Sequence, residues 1–515
     1  MGTDSDVLVI GGGHNGLVAA TRLGQAGKKV VLLEKRPGTG GLCQGEEFHP
    51  GYHHSGILQD TSRFRRWLVD DLGLTRYGLN YVDGPPTILI PAADGHRSLL
   101  LHASPADTAG EIAALSPRDA AQYPEYLLTL QRYRALLRGL LDKVPPDIGD
   151  PGPADMGNLI GKGLTLRLLG RRHMTELLRI APMCCADYLN EWFETDLLKA
   201  ALAGPAVFGN AAGPWSPGTN ANLLIRQAGV DGHVVGGPAA LTRALEAAAR
   251  AAGVDIRTGC RVNQLIIDGD QVSGLVLDDG TELRSQAVLS ALHPASTFPG
   301  LFPPGQPGFP LEHRIGNFRS RGTTAVMHLA LTSVPTWAAR QGAEVVFART
   351  CGQGDELDGL ERAFDPVKYE AFAEFPALEI CCRTGDGAAP AGHASMSVLC
   401  HYTATNAATE GKDRARLADV ILRTLEVYLP GIGRTVTGTS LLTPSDLEKA
   451  YGLPGGHIHH GEEALDQILI RPAPEVVRYT TPFRGLFVCG GGYHPGGGVQ
   501  GVSGALAAGV VLQGL

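Results

Sequence analysis

The first forty residues constrain this chain more than any other stretch. An apolar run, Asp6-Val-Leu-Val-Ile10, leads into Gly11-Gly-Gly-His-Asn-Gly16, then an Ala/Leu-rich segment, then Lys29-Val-Val-Leu-Leu-Glu34. A strand that enters Gly-x-Gly-x-x-Gly and continues as a helix forms a dinucleotide cradle. Gly11 permits the tight turn, Gly13 lets backbone approach a pyrophosphate, and Gly16 lets the helix lie close on the strand. Leu17, Ala20, Leu23 and Ala26 fall on roughly one helical face, and Gly27 ends the helix. Glu34 closes the second strand, where a carboxylate accepts ribose hydroxyls and repels the extra 2′-phosphate of NADP, so NAD or FAD is favoured. An ordinary glycine turn is the alternative, but it leaves the paired strands, the helix and the acid unexplained.

The residues after Glu34 narrow the choice. Lys35-Arg36-Pro37-Gly-Thr-Gly40-Gly41 puts cationic side chains and a glycine pair just past the ribose position, as suits a cofactor with a further, bulkier half. FAD is such a cofactor. At the far end, Gly485-Leu-Phe-Val-Cys489 reads as a strand, Gly490-Gly-Gly-Tyr-His-Pro-Gly496-Gly-Gly498 as a backbone-exposing loop, and Val499 onward as a small-residue helix. A glycine loop between a buried strand and an Ala/Gly helix is built for close approach, so Gly490, Gly491, Gly498 and Val499 are expected against the same ligand. Residues 40 to 515 contain no second complete strand, Gly-x-Gly-x-x-Gly and helix. Nicotinamide is therefore not expected as a partner in a dedicated domain, and electrons would leave to dioxygen, a quinone or the substrate itself.

At 515 residues, 43% hydrophobic and 19% charged, the chain can form two domains with sizeable cores. A net charge of −8 gives no footprint for nucleic acid. One basic segment stands out: Arg167-Leu-Leu-Gly-Arg-Arg-His173, flanked by Leu164, Leu166, Leu177, Leu178, Arg179 and Ile180, reads as an amphipathic helix able to lie on a membrane surface or simply as a helix with a solvated face. Neither a signal peptide nor an apolar run of about eighteen residues is present, so a cytoplasmic location is expected, with any membrane contact peripheral. The oligomeric state stays open. The nine cysteines include the vicinal pairs Cys184-Cys185 and Cys381-Cys382 but no Cys-x-x-Cys beside the cradle, which argues against dithiol chemistry. Gly455-Gly-His457-Ile-His459-His460-Gly concentrates histidines. His457 and His459 would share one face of a strand, yet no third metal ligand can be named, so no metal is expected and a cavity wall or an exposed loop remain.

Together these stretches resemble the phytoene desaturase and carotenoid isomerase branch of the flavin-containing amine oxidase superfamily. The resemblance extends through Asp187-Tyr-Leu-Asn-Glu-Trp-Phe193, Gly213-Pro-Trp-Ser-Pro-Gly218, Thr258-Gly-Cys-Arg-Val262, Leu442-Thr-Pro-Ser-Asp-Leu447 and the His494-Pro-Gly-Gly-Gly-Val499 loop, nearly the whole chain. It implies FAD and an oxidoreductase acting on a hydrophobic small molecule, with a redox-neutral polyene isomerase as the alternative and a non-catalytic flavin-stabilised interaction protein as a third reading. It places Gly56 and Ile57 on the flavin side, His54 on a cavity wall, Val262 and Ala291 by the nucleotide, and His459, His460 and His494 near the flavin as catalytic candidates.

The fold expected is mixed, α/β plus α+β. A discontinuous Rossmann-like FAD-binding domain (1–104, 226–304, 466–515) would carry an inserted substrate domain (105–225, 305–465), whose mixed or antiparallel sheet is capped by helices. Runs at 323–330, 344–349, 377–383 and 394–402 supply that sheet, while 105–225 reads as mainly helical, broken by Pro145-Pro146 and the stretch around 148–157. Residues 61–74 read as an amphipathic helix with Arg63, Arg65, Arg66 and Asp70 outward.

Overall fold

The computed structural model describes residues 5–147, 151–342, 345–352, 354, 356–385, 387–406, 411–468 and 470–515. Two seven-stranded sheets organise the chain. In the first, parallel strands lie side by side in the order Leu486–Val488, Glu282–Ser290, Ser5–Ile10, Val30–Glu34 and Asp255–Thr258. The start of Glu282–Ser290 also carries an antiparallel ribbon, Gln271–Leu277 with Val262–Asp268. Val7, Val9, Val30, Leu32 and Leu289 pack with helices His14–Gln25, Gly237–Ala251 and Val502–Gly514. Leu8, Ile10, Val31, Leu33 and Val288 face the opposite core, with the ribbon and helices Pro294–Leu301 and Phe309–Asn317. These strands read as unbroken apolar runs because, covered on both faces, they have no polar side.

The second sheet runs Val436–Leu442, Thr324–Leu331, Ala394–His401, Leu378–Arg383, Phe347–Arg349, Ile88–Pro91 and Ser98–Leu101. All pairings are antiparallel except that of Phe347–Arg349 with Ile88–Pro91. Helix Gly411–Tyr428 packs on one face through Leu417, Val420, Ile421 and Leu425. Tyr126, Tyr133, Tyr188, Leu198 and Leu223 form the separate core of the helical cap.

Several expectations need correction. Ile88–Pro91 and Ser98–Leu101 form a hairpin, as their sequence suggests, but they extend the second sheet, so the boundary at residue 104 falls too late. Helix Phe309–Asn317 buries Leu311 and Ile315 in the nucleotide-side core, beyond the boundary at 304. The 344–349 run is a strand only over Phe347–Arg349, and residue 344 lies outside the described residues, as do 148–150 in the Gly/Pro stretch. Over 61–74 the α-helix is limited to Arg66–Asp71, and Arg63 and Arg65 are buried rather than outward. Arg65 is drawn in by Asp142, whose Oδ1 accepts from Nη2 at 2.9 Å, and by the carbonyls of Arg63 and Gly229.

The N- and C-terminal units lock together where helix Val502–Gly514 crosses helix His14–Gln25. A Cβ on Gly504 would lie 2.0 Å from the Asn15 carbonyl oxygen, whereas one on Gly509 of the same helix would meet nothing within 4 Å. Gly504→Ala is therefore expected to lower stability by about 1–3 kcal/mol through overpacking. Gly509→Ala is expected to leave it unchanged or raise it by up to about 1 kcal/mol through helix propensity. Urea titration of both variants checks this, and equal effects would contradict it.

Candidate active site

The carboxyl ends of the five parallel strands open into one cavity of about 630 Å³. Following the strands across the sheet, its wall is formed by Gly490 and Gly491, then Ala291, then Gly11 and Gly13, then Lys35 and Arg36, then Cys260, Arg261 and Val262. This is where open α/β sheets hold their ligands. Gly16 packs the helix onto the turn so closely that a Cβ would lie 2.0 Å from the Gly11 carbonyl oxygen. A Cβ on Gly13, by contrast, would meet no protein atom within 4 Å, so the cradle is open on that side. The Glu34 carboxylate is fixed at both oxygens: Oε2 accepts from Gly12 N at 2.7 Å and Oε1 from Arg36 N at 2.9 Å. Gly40 N donates to Gly12 O at 2.7 Å, which brings Gly41 alongside Gly13. Arg36 pairs with Glu46 and lies over the Tyr451 ring at 4.3 Å.

A second cavity of about 230 Å³ shares Leu58, Ile458 and Gly498 with the first. Ile88, Leu101, Leu202, Phe347 and Leu399 give it apolar walls, and Val499 also lines it. Two sets of its polar groups are bonded among themselves. Arg349 Nη2 donates to Glu379 at 2.8 Å, His401 Nε2 lies 2.9 Å from the other Glu379 oxygen, and the His401 ring stacks on Phe208 at 4.1 Å. In the second set, Arg226 Nε donates to Glu463 at 2.9 Å and Arg226 Nη2 donates to His459 Nε2 at 3.0 Å. A guanidinium cannot accept, so the His459 proton sits on Nδ1. Burial alone would raise the Glu463 carboxyl pKa, but Arg226 and Arg63 outweigh it and hold the group well below the usual carboxylate range.

The structure gathers most of the residues picked from sequence and separates others. Gly11, Gly13, Gly16, Glu34, Lys35, Arg36, Gly40, Gly41, Val262, Ala291, Gly490, Gly491 and Gly498 line the first cavity with His460. His459 lines the second. Gly56 and Ile57 line neither: a Cβ on Gly56 would meet the Cys43 Cα at 3.1 Å, and Ile57 is a core residue whose N donates to Leu42 O. Their neighbours Leu42 and Leu58 reach the cavity instead. His494 also lines neither; its Nε2 donates to the Leu141 carbonyl at 3.1 Å, and burial pushes its pKa down to about 4. His54 is stacked on His328 at 4.1 Å, away from both cavities. The 457–460 segment is a turn, not a strand: His457 Nδ1 accepts from the backbone N of His459 and Gly461. Among the described residues no three His, Cys, Asp or Glu side chains form a metal-ligating group. His14, His293, Lys449 and Tyr451 line the first cavity without having been singled out. Tyr451 follows a Thr443/Asp446 capping box, a signal that locates a helix but not what its far end faces.

Burial sets the protonation of the site. It pushes His460 down to about 3 and His14 to about 4, and lowers His293 and His459 well below the ordinary value, so all four are neutral near pH 7. The nine cysteines stand as free thiols, eight of them buried, and burial raises Cys43, Cys185, Cys382 and Cys400 to about 12. Thiols held protonated by burial in this way do not support disulfide exchange.

The first cavity fits FAD: a glycine cradle open at Gly13, a fixed carboxylate at Glu34 and a second glycine loop at Gly490. Two buried ring nitrogens on its wall, His293 Nε2 and His460 Nδ1, have no partner among the described residues. Comparison with known proteins agrees. The NAD(P)-binding Rossmann-like domain family matches residues 9–58, and the flavin containing amine oxidoreductase family matches residues 201–512. The chain is 32% identical to pyridine nucleotide-disulfide oxidoreductase domain-containing protein 2 of Rattus norvegicus, covering 99% of this chain and 94% of that protein. It is 24% identical to the phytoene desaturase (lycopene-forming) of Paracoccus sp. (strain N81106 / MBIC 01143), covering 97% and 95%. The fold is shared with cyclohexylamine oxidase from Brevibacterium oxydans IH-35A, with a TM-score of 0.57 and 15% identity over 99% of both chains. The chain belongs to the flavin containing amine oxidoreductase family. It is an FAD-dependent oxidoreductase.

Glu34→Ala is expected to weaken FAD binding by roughly 1.5–3 kcal/mol, the scale of hydrogen bonds to a charged group. Titration of deflavinated protein with FAD checks this. An unchanged dissociation constant would mean that the carboxylate serves only the Gly12 and Arg36 backbone.

Proposed function

We propose that the enzyme removes a hydride and a proton from an apolar small molecule held in the second cavity, and that the two electrons and two protons leave as hydrogen peroxide or a quinol when dioxygen or a quinone is the acceptor. The observation that carries this reading is the junction at Leu58, Ile458 and Gly498, where a mainly apolar chamber meets the FAD cavity. The relative named as a phytoene desaturase supports dehydrogenation of an apolar molecule. Bound FAD supplies a two-electron acceptor. Leu58 and Ile458 keep water from the junction, and the fixed backbone around Gly498 lets a substrate carbon approach closely. His459 and His460 serve there as neutral hydrogen-bonding groups. With pKa values far below neutrality they orient a substrate rather than store a proton.

Anaerobic mixing of the holoenzyme with apolar substrates, followed by oxygen or quinone, tests the proposal. The expected outcome is loss of the oxidised-flavin absorbance, its return on adding the acceptor, and a product lighter by two hydrogens. A product of unchanged mass with no acceptor consumed would replace it with isomerisation. Rapid bleaching by NADH or NADPH would overturn the choice of electron partner.

We also propose peripheral contact with an anionic bilayer. Met156, Ile160, Leu164 and Leu168 recur every fourth residue on helix Pro153–Leu168 and are 44%, 64%, 57% and 77% exposed. That spacing aligns them in one stripe, and the exposed Arg167, Arg171 and Arg172 stand at its end. No helix among the described residues is long and apolar enough to cross a membrane. Vesicles containing phosphatidylserine are expected to sediment the protein, and vesicles of phosphatidylcholine alone much less. The double variant Arg171→Glu and Arg172→Glu should bind more than tenfold more weakly, at about 1 kcal/mol per lost cation. Equal binding to both vesicle types would refute the charge component, and none to either the whole proposal.

A further inference from the structure

Beside Gly498 the guanidiniums of Arg63 and Arg226 line the second cavity against the single carboxylate of Glu463. Arg63, Arg226 and Arg471 surround the single carboxylate of Glu463. The neighbouring acid, Glu462, is occupied by Arg319 and Arg321. Across the cavity Arg349 and Glu379 neutralise each other. Asp60, also on the wall, is exposed and accepts from Ser62 N. Of the three guanidiniums, Arg226 bonds Glu463 and His459 at 2.9 and 3.0 Å, and Arg471 is bonded to the carbonyls of His459, Gly461 and Glu462.

Arg63 is left. It is 6% exposed and lines the cavity, yet its contacts are long: Nη1 lies 3.7 Å from Glu463 and 3.5 Å from the Gly497 carbonyl. Its Nε is buried with no partner among the described residues. Fully buried cations are ordinarily paired and hydrogen-bonded, because the interior does not replace the water they lose. A planar guanidinium with free donors matches a carboxylate that can accept two bonds at once. Ile88, Leu101, Leu202 and Leu399 supply hydrocarbon elsewhere on the wall.

We propose that the second cavity takes an apolar molecule ending in a carboxylate, with Arg63 as the group that receives that carboxylate and Arg226 as its supporting cation. This rests on the reading that the second cavity holds the substrate. It adds that the substrate is anionic and that its charged end lies beside Gly498, at the flavin side of the chamber.

Calorimetric titration of the holoenzyme with decanoate, 1-decanol and decylamine tests it. Decanoate is expected to bind at least tenfold more tightly than either neutral or cationic analogue. Arg63→Met should erase that preference while leaving 1-decanol binding and FAD content unchanged, and Arg63→Lys should restore it in part, keeping the charge without the fork. Equal or tighter binding of 1-decanol overturns the carboxylate but keeps the apolar cavity. Tighter decylamine assigns the pocket to Glu463 and Glu379 instead. Binding of none of the three removes the substrate assignment as well. Should Arg63→Met fail to fold, the ranking of the three ligands on the unaltered enzyme still decides. A variant that keeps the decanoate preference but shifts the flavin reduction potential would mean that Arg63 serves the cofactor, and would refute the proposal.

Discussion

The parallel register of five strands is the constraint on which the rest of this enzyme depends. Strands that all point the same way bring their carboxyl ends, and the loops that follow, to one edge of the sheet. Gly11, Lys35, Cys260, Ala291 and Gly490 follow those strands in the chain yet form one continuous wall. Parallel pairing also demands crossovers, and the longest of them, between Val30–Glu34 and Asp255–Thr258, contains the cap and the hairpin Ile88–Leu101. The second cavity is thus a consequence of how the nucleotide sheet is wired. Close backbone contact completes it, since Gly16 and Gly504 each occupy positions where a methyl group would collide with a carbonyl oxygen at 2.0 Å.

Desolvation is the second organising force. Seven histidines in and around the two cavities, His14, His293, His401, His457, His459, His460 and His494, are shifted downward with burial as the leading cause. A neutral imidazole can satisfy backbone groups without bringing charge into the interior, which is how His457 ties its turn and His494 anchors the Leu141 carbonyl. Guanidiniums have no such escape, being charged at any ordinary pH. Arg65 and Arg349 have found acids, and Arg471 backbone carbonyls. Arg63 lines the second cavity with only long contacts from its Nη1, to Glu463 and to the Gly497 carbonyl.

The chemistry suits such surroundings. Where the FAD cavity meets the mainly apolar second cavity, each buried charge acts over a longer range than in water. Burial makes an unpaired carboxylate such as Glu463 costly, and two arginines hold it ionised against that cost.

Local chemistry was legible from the chain by itself. Gly11, Gly13, Gly16 and Glu34 specify a turn, a close approach and a carboxylate on the cavity wall within one βαβ unit, because backbone conformation and short spacing are encoded in adjacent residues. Gly490, Gly491 and Gly498 were legible for the same reason. The alternation and length of apolar runs also marked the second sheet. Tertiary structure alone decided which way side chains turn once distant segments meet. Arg63 and Arg65 look like the solvated face of a short helix until Asp142, Gly229 and Glu463 draw them inward. Tyr451 lines the cavity with Arg36, from a distant segment, lying across its ring, and His494 lies outside both cavities, bonded to the Leu141 carbonyl. Glycine spacing is a property of neighbours, but burial and charge pairing belong to segments hundreds of residues apart, and no local pattern records them.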